Sequence, residues 1–375
     1  MKEQEDHLRH VLLIYRRMIP SIRLCGHCQL EYLAQQGRLR YRAVQEMMLS
    51  TSDLDWADTV LLGRLDSWYE HQLVMKLREA RKRLIYIIDD DLLGVPSQIN
   101  SAAYYGQRKI RKYIREMIEM SDVILSPSSL LLQKYAVDGR GAIQIEEPAI
   151  GSVCYFPHRL AGPVKIGFAG SIDRIGDVDS ILREVLFQIK EIYGDRVELE
   201  FFGAIPPFAN KLSAKCIPYC NSYEKYRKTL NDLQWDVGLA PMPDTPFHAC
   251  KHYNKFVEYA AAGAVGVFSK VEPYTSIQKF YPSVLLCEND ARAWKRTLCE
   301  LIENREFRER LRAEAVEIAE TRFSVERSAQ VLEKALCSPN DVQNYGRTKY
   351  GLVSRKLIGC LLRGWGYVKK CALRR

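Results

Sequence analysis

The chain has 375 residues, 47% of them hydrophobic, and a formal net charge of +9. That length exceeds one core and suits two domains. No apolar run reaches the roughly 18 residues of a membrane span, and the opening MKEQEDHLRH is charged and lacks a secretory signal's apolar core, so a cytoplasmic protein is expected.

Eleven cysteines, an odd number without framework spacing, suggest reduced thiols. Cys25 and Cys28 form a lone CxxC, and Cys216 and Cys220 are too loosely spaced to complete a zinc site with it. The charge is uneven. No acid follows Asp341, whereas nine cations do, from Arg347 to Arg375. Residues 1–341 therefore sum to zero, and a body-wide nucleic-acid surface is not indicated.

In chain order, VLLIY (11–15) reads as a buried strand. A loop leads into a helix ending near Gln36, with Gly37 as its stop. Strands are expected at 39–44, 59–62, 84–88, 123–125 and 142–145, and helices at 68–82, 108–120 and 128–135. This alternation is that of a parallel α/β sheet. A linker rich in proline and glycine follows at 151–163. The alternation then restarts, with strands at 164–169 and 197–202 and helices at 178–192 and 223–233. Near the end, a strand at 284–287 precedes helices at 291–303, 306–320 and 324–336, the last with Ser324 as a plausible N-cap.

The segment 236–274 carries the sharpest chemical signal. A strand, DVGLA, breaks into a proline-rich loop. A helix is expected from about Lys251 to Ala262, stopped by Gly263, and then a second strand, AVGVF. Lys251, Lys255 and Glu258 stand at i, i+4 and i+7 and would share one helix face. Two lysines near a helix start make a seat for a phosphate-bearing ligand, and a carboxylate one turn on can accept hydrogen bonds from a ribose diol. A solvated charged face is the other reading. In two such domains, ligands belong beyond the carboxyl ends of the strands, and a cleft between the domains is the expected site.

The second half resembles the nucleotide-binding domain of retaining family 4 glycosyltransferases, the group 1 enzymes with the GT-B fold. The resemblance rests on KIGFAGSIDRIGDVDSIL, VELEFFGA, the 236–274 segment and RFSVERSAQVLEKAL, and it covers about residues 163–337. In the first half, LIYIIDDDLLGVP and SDVILSPSSLLLQKYA resemble a branch common in bacterial surface polysaccharide synthesis. The resemblance implies two Rossmann-like domains: an acceptor domain at 1–150 and a nucleotide-sugar domain at 164–340, followed by a basic tail at 341–375. It implies a hexosyltransferase-like, metal-independent enzyme without a cofactor. Such an enzyme moves a sugar from a nucleotide-sugar donor to a glycan or lipid-linked acceptor, with retention.

Residue by residue, Glu258 matches the second glutamate of the family's E-x7-E motif, which holds the donor ribose. Cys250 stands where the first glutamate would be, and Lys251-His252-Tyr253 replaces the usual Gly-Phe-Gly. The glycine turn carries Gly170 and Ser171 where Gly-Arg is usual, and Ile175-Gly176 where Lys-Gly is usual. Lys251 and Lys255 would then supply the donor-phosphate charge, with Arg174 in reserve. Gly203 ends the second strand of this domain beside the donor. His248 is a phosphate or sugar hydrogen-bond donor, or packing. Asp89 and Asp90 fall where many members carry a His-Asp near the reacting sugar. They orient hydroxyls, cap the following turn, or with Asp91 bind a metal. Arg23, in the first strand–helix loop, touches the acceptor or is a surface arginine.

The tail segment YGLVSRKLIGCLLRGWGYVKKCALRR reads as an amphipathic basic anchor for an anionic inner membrane surface, or else as disordered or core-docked. The partners expected are thus a nucleotide sugar, the acceptor and a membrane surface, with no nucleic acid. The alternative function is a non-catalytic glycan- or nucleotide-binding protein that keeps the fold.

Overall fold

The computed structural model describes residues 8–149, 153, 162–281 and 284–336. Two compact units emerge. The first takes the chain up to Glu147 together with the helix Val325–Leu336, and the second spans Pro148–Ser324.

The first unit is built on β1 (His10–Tyr15), β2 (Arg40–Gln45), β3 (Thr59–Gly63), β4 (Arg83–Ile87), β5 (Val123–Ser126) and β6 (Gly141–Gln144). They form one sheet in the order β2-β1-β3-β4-β5-β6, and every pair is parallel. Strands β3, β4 and β5 are buried along their whole length. Helices on both faces leave a parallel strand no wet side, hence the continuous apolar runs TVLLG, RLIYI and VILS. The expected single helix after β1 is broken into Pro20–Ile22, a π-helical turn Arg23–His27, and Cys28–Gln35.

The second unit carries β7 (Val164–Gly170), β8 (Val197–Gly203), β9 (Lys215–Ile217), β10 (Val237–Ala240), β11 (Val265–Ser269) and β12 (Leu285–Cys287). Its order is β12-β11-β10-β7-β8-β9, again all parallel. This is the doubly wound Rossmann order, and its topological switch point lies between β7 and β10. The core gathers Phe168, Val178, Leu182, Phe201, Trp294 and Leu298 on one face of the sheet. On the other lie Phe202, Trp235, Phe256, Tyr259 and Phe268.

Three expectations change. The short strand β9 and the helix Thr51–Trp56 were not anticipated, because each is too short for a periodic pattern. The helix expected from Lys251 begins at Asn254. The closing helix Val325–Leu336 belongs with the first unit rather than the second, which corrects the boundary drawn at 340. Its residues Ala329, Leu332 and Leu336 join the core of the first sheet beside Leu30 and Leu33. Gln29 Nε2 donates to Ser328 Oγ at 2.9 Å, and Arg83 donates to the carbonyls of Ala335 and Leu336 at 3.1 and 3.3 Å. Those two carbonyls lie in the helix's last turn, where a cation is favoured.

Almost all of the expected linker, and the whole basic tail, lie outside the described residues. Among the described residues no helix is long and apolar enough to cross a membrane.

Candidate active site

At the carboxyl edge of the second sheet, one arginine spans the switch point. Arg174 follows β7 at the start of the helix Ile175–Tyr193. Its Nη2 donates to the carbonyl of Pro241, just past β10, at 2.6 Å. Its Nε lies 3.0 Å from Asp177 Oδ2. Burial raises the Asp177 pKa above the usual carboxylate range, while Arg174 and Lys251 pull it back. Tyr274 is a further neighbour: burial raises its pKa, opposed by Arg174 and reinforced by Glu258 and Asp177. Tyr259 closes the floor by accepting from the Ala169 amide at 3.3 Å and donating to the Leu239 carbonyl at 2.8 Å. It thereby ties β7 to β10.

Glu258 is buried on the helix Asn254–Ala261. Its Oε2 accepts from Tyr226 Oη at 2.7 Å and from Lys255 Nζ at 2.5 Å. Lys255 also donates to Tyr226 Oη at 2.9 Å and lies over its ring. Burial first, and then the Glu258 charge, push the Tyr226 pKa well up, so the phenol keeps its proton and donates. Arg227 donates to the Glu258 carbonyl at 2.9 Å. Both side-chain bonds fall on Oε2, so Oε1 keeps its acceptor capacity.

The structure thus brings together Arg174, Lys251, Lys255 and Glu258, but not as one helix face. Lys251 precedes the helix, in the turn after Pro246–Ala249, with its ammonium 4.6 Å from the centre of the Phe247 ring. The physical reason is local: Thr245 caps that short helix through the His248 amide at 3.2 Å and also bonds His248 Nδ1 at 2.7 Å. The short helix so started stops at its C-cap Cys250, and a second helix begins at Asn254. His248 is buried and held by that cap. Gly170 and Gly203 pair at the ends of β7 and β8. Gly203 has φ +84°, and a Cβ there would stand 2.3 Å from the Gly170 carbonyl oxygen. Only glycine allows this close approach. Ser171 is exposed in the turn between β7 and Arg174. Cys250 is buried.

In the first unit the aspartate triplet is divided among different partners. Asp89 accepts from Arg64 Nη1 with both oxygens, at 3.2 and 3.1 Å. Asp90, 3.5 Å from the same nitrogen, is the more exposed of the two. Asp91 is tied to Lys134 at 2.6 Å and to Tyr135. Arg64 has a left-handed backbone, φ +52°, a conformation that costs a non-glycine residue about 1 kcal/mol or more.

Beside it, Arg16 spans this sheet's own switch point, between β1 and β3. Its guanidinium lies 2.7 Å from Asp66, 2.8 Å from Glu70 and 3.6 Å from Glu46. Tyr104 and Tyr105 donate to Asp66 at 2.8 and 3.3 Å. Burial, and then the hydrogen bond between Glu70 and Glu46, push the Glu70 pKa up to about 7.

Arg23 lies in the π-helical turn; burial lowers the His27 pKa and the Arg23 charge adds to that, whereas at Cys28 the same charge only opposes the rise that burial causes. Cys25 donates to Glu147 at 2.9 Å, and burial raises both the Cys25 and the Cys28 thiols. Both thiols are buried in the first unit. Among the described residues no cluster of three or more His, Cys, Asp or Glu is arranged to hold a metal.

Sequence reasoning missed Tyr226, Asp177, Arg64 and the Arg16 cluster. Tyr226 and Glu258 lie on different helices, so no spacing rule joins them. The one available signal was Arg16 and Arg64, charges immediately after two strands with apolar centres, VLLI and VLL.

Two six-stranded parallel sheets of this topology define the GT-B fold class, and solved structures of that class match nearly the whole chain. An alpha-glucosyltransferase in complex with UDP-glucose and DNA containing an abasic site shares 12% identity over 88% of this chain and 99% of its own, with a TM-score of 0.58. Anabaena HepE in complex with UDP and glucose shares 12% over 88% and 100%, with a TM-score of 0.57. A Listeria monocytogenes protein assigned as a UDP-N-acetylglucosamine 2-epimerase shares 12% over 90% and 98%, with a TM-score of 0.53. At such identity the likeness establishes the fold, and one fold hosts several chemistries. No protein-family model and no curated protein sequence matches the chain.

Proposed function

We propose that the protein is a glycosyltransferase that takes a sugar from a nucleotide-sugar donor and places it on a glycan or lipid-linked acceptor, in the synthesis of a surface polysaccharide. The observation that carries this is the seat around Glu258. A buried carboxylate is fixed through one oxygen by Tyr226 and Lys255 and keeps the other as an acceptor. Arg174 and the start of a 19-residue helix stand at the same sheet edge. A ribose diol fits the first group and a diphosphate the second.

Departure of the nucleoside diphosphate leaves negative charge on its terminal phosphate and positive character on the sugar ring. Arg174, Lys251 and Lys255, with the helix start, are preorganised for that charge. Asp177 offsets part of the Arg174 charge, so a bound diphosphate would compete with it. In the first unit Arg64 holds both oxygens of Asp89 and also reaches Asp90 at 3.5 Å, and the greater exposure of Asp90 favours it as the acceptor from a sugar hydroxyl. Transfer with retention and independence from metals follow the resemblance of the sequence to the retaining enzymes.

A thermal-shift screen of UDP- and GDP-sugars tests this reading, repeated on Lys251→Ala and Glu258→Ala. The best ligand should stabilise the parent, and Glu258→Ala should need about tenfold more of it, the cost of a hydrogen bond to a charged group. Equal stabilisation of parent and both variants means the seat is misplaced. Binding without release of nucleoside diphosphate in the presence of any glycan acceptor favours the non-catalytic alternative.

A further inference from the structure

The proline-rich loop after β10 opens with Ala240-Pro241-Met242-Pro243. Proline has no backbone N–H and locks its own φ. Met242 thus carries the only amide donor between Ala240 and Asp244, and its neighbours on both sides are already stiff. The structure grips Met242 at both of its backbone groups. Its amide donates to Ser269 Oγ at 2.8 Å. Ser269 Oγ donates in turn to Asn289 Oδ1 at 2.6 Å. Asn289 Nδ2 donates to the Met242 carbonyl at 2.8 Å and closes the ring. All three bonds run the same way round, an arrangement in which hydrogen bonds polarise and strengthen one another.

The ring draws on three neighbouring strand ends. Ser269 is the last residue of β11 and pairs with Cys287 at the end of β12; Asn289 stands two residues further on. β10 has already ended at Ala240, so the ring fixes the loop and not the strand ladder. Ser269 is fully buried and Asn289 is exposed. What the loop presents is the Pro241 carbonyl, which accepts from Arg174 Nη2 at 2.6 Å. On an unfixed loop that carbonyl would let the guanidinium swing fully onto Asp177, which lies 3.0 Å from its Nε. With the adjoining residue clamped, the carbonyl holds Arg174 toward β10.

We infer that Ser269 and Asn289 are positioning residues of the donor seat, acting through Met242 and Pro241 to set Arg174 for a diphosphate. This rests on the donor reading of that seat. Its signature is selectivity. Glu258, the ribose partner in that reading, is held by Tyr226 and Lys255 and not by the ring. Only the phosphate part of the affinity should depend on Ser269 and Asn289.

The test is titration of the full chain with UDP and GDP by calorimetry, and with uridine and guanosine by ligand-observed NMR. Ser269→Ala and Asn289→Ala should each bind the preferred diphosphate about tenfold more weakly, the cost of one misdirected charge-assisted hydrogen bond. Each should bind the matching nucleoside within about twofold of the parent. Asn289 is exposed, so its variant serves even if Ser269→Ala fails to fold. Arg174→Ala should also weaken the diphosphate, and adding Asn289→Ala to it should cost nothing further, because the two act as one unit. Hydrogen exchange of the Met242 amide, isolated between two prolines, should accelerate about tenfold in Asn289→Ala. No acceleration there overturns the inference. Equal losses for diphosphate and nucleoside also overturn it, since a merely structural ring would weaken both. So do ring variants that bind the diphosphate like the parent while Arg174→Ala does not. A parent that binds neither UDP nor GDP overturns the donor reading itself, and the inference with it.

Discussion

Tyr226 decides how Glu258 works. Its phenol, kept protonated by burial and by the carboxylate itself, fixes one oxygen and leaves the other to a ligand. Tyr226→Phe should keep the ring stacked on Phe202, now 5.1 Å away, and remove only the hydroxyl. Nucleotide-sugar affinity should fall about five- to tenfold, one hydrogen bond's worth, in a calorimetric titration of parent against variant.

A second residue-scale prediction concerns Glu70. In the folded chain it holds its proton up to about pH 7, against 4.5 for an ordinary glutamate. Between those values the native state binds the proton and the unfolded state has released it, so stability falls as pH rises. The total is about 3 kcal/mol, at 1.36 kcal/mol per pK unit. Glu70→Gln can still accept from the Asp66 and Ser67 amides, which now donate to Glu70 Oε2 at 2.7 Å each. Its melting temperature should therefore change less than the parent's from pH 4.5 to 7.5. A parent profile as flat as the variant's would count against a proton held between Glu70 and Glu46.

Between elements, the end of β8 is the tightest constraint. Gly203→Ala would place a methyl 2.3 Å from the Gly170 oxygen on a backbone at φ +84°, so β7 and β8 would have to separate where the donor seat begins. A loss of about 2 kcal/mol or more is expected in urea unfolding of the second unit, since left-handed strain and overpacking add. The helix Arg108–Met120 and the strands β3 and β4 were legible almost to the residue, because long periodic or continuous apolar runs override neighbours. The helix start at Asn254 was not legible. Charge spacing from Lys251 suggested one helix, whereas a separate short helix, opened by the Thr245 cap and closed at Cys250, takes up the chain just before Lys251.

In the molecule as a whole, the last described helix stabilises the unit that begins the chain. Ending the chain at Ser324 removes Ala329, Leu332 and Leu336 from the first core, along with the bonds to Gln29 and Arg83. Hydrogen exchange should accelerate in β1, β3 and the helix Cys28–Gln35 of that truncated chain, while β7, β8 and β10 keep their protection. Acceleration confined to the second unit would contradict the assignment of this helix.

The sequence by itself determined the two α/β halves, their parallel strands and the position of Glu258, because these follow from apolar runs, period and short-range spacing. Tertiary structure alone decided that Tyr226 meets the Lys255–Glu258 pair, that Arg16 and Arg174 each span a switch point, and that Arg64 takes Asp89. Each of these joins residues from separate elements at the end of a sheet. Strand order sets such distances, and no local pattern encodes it.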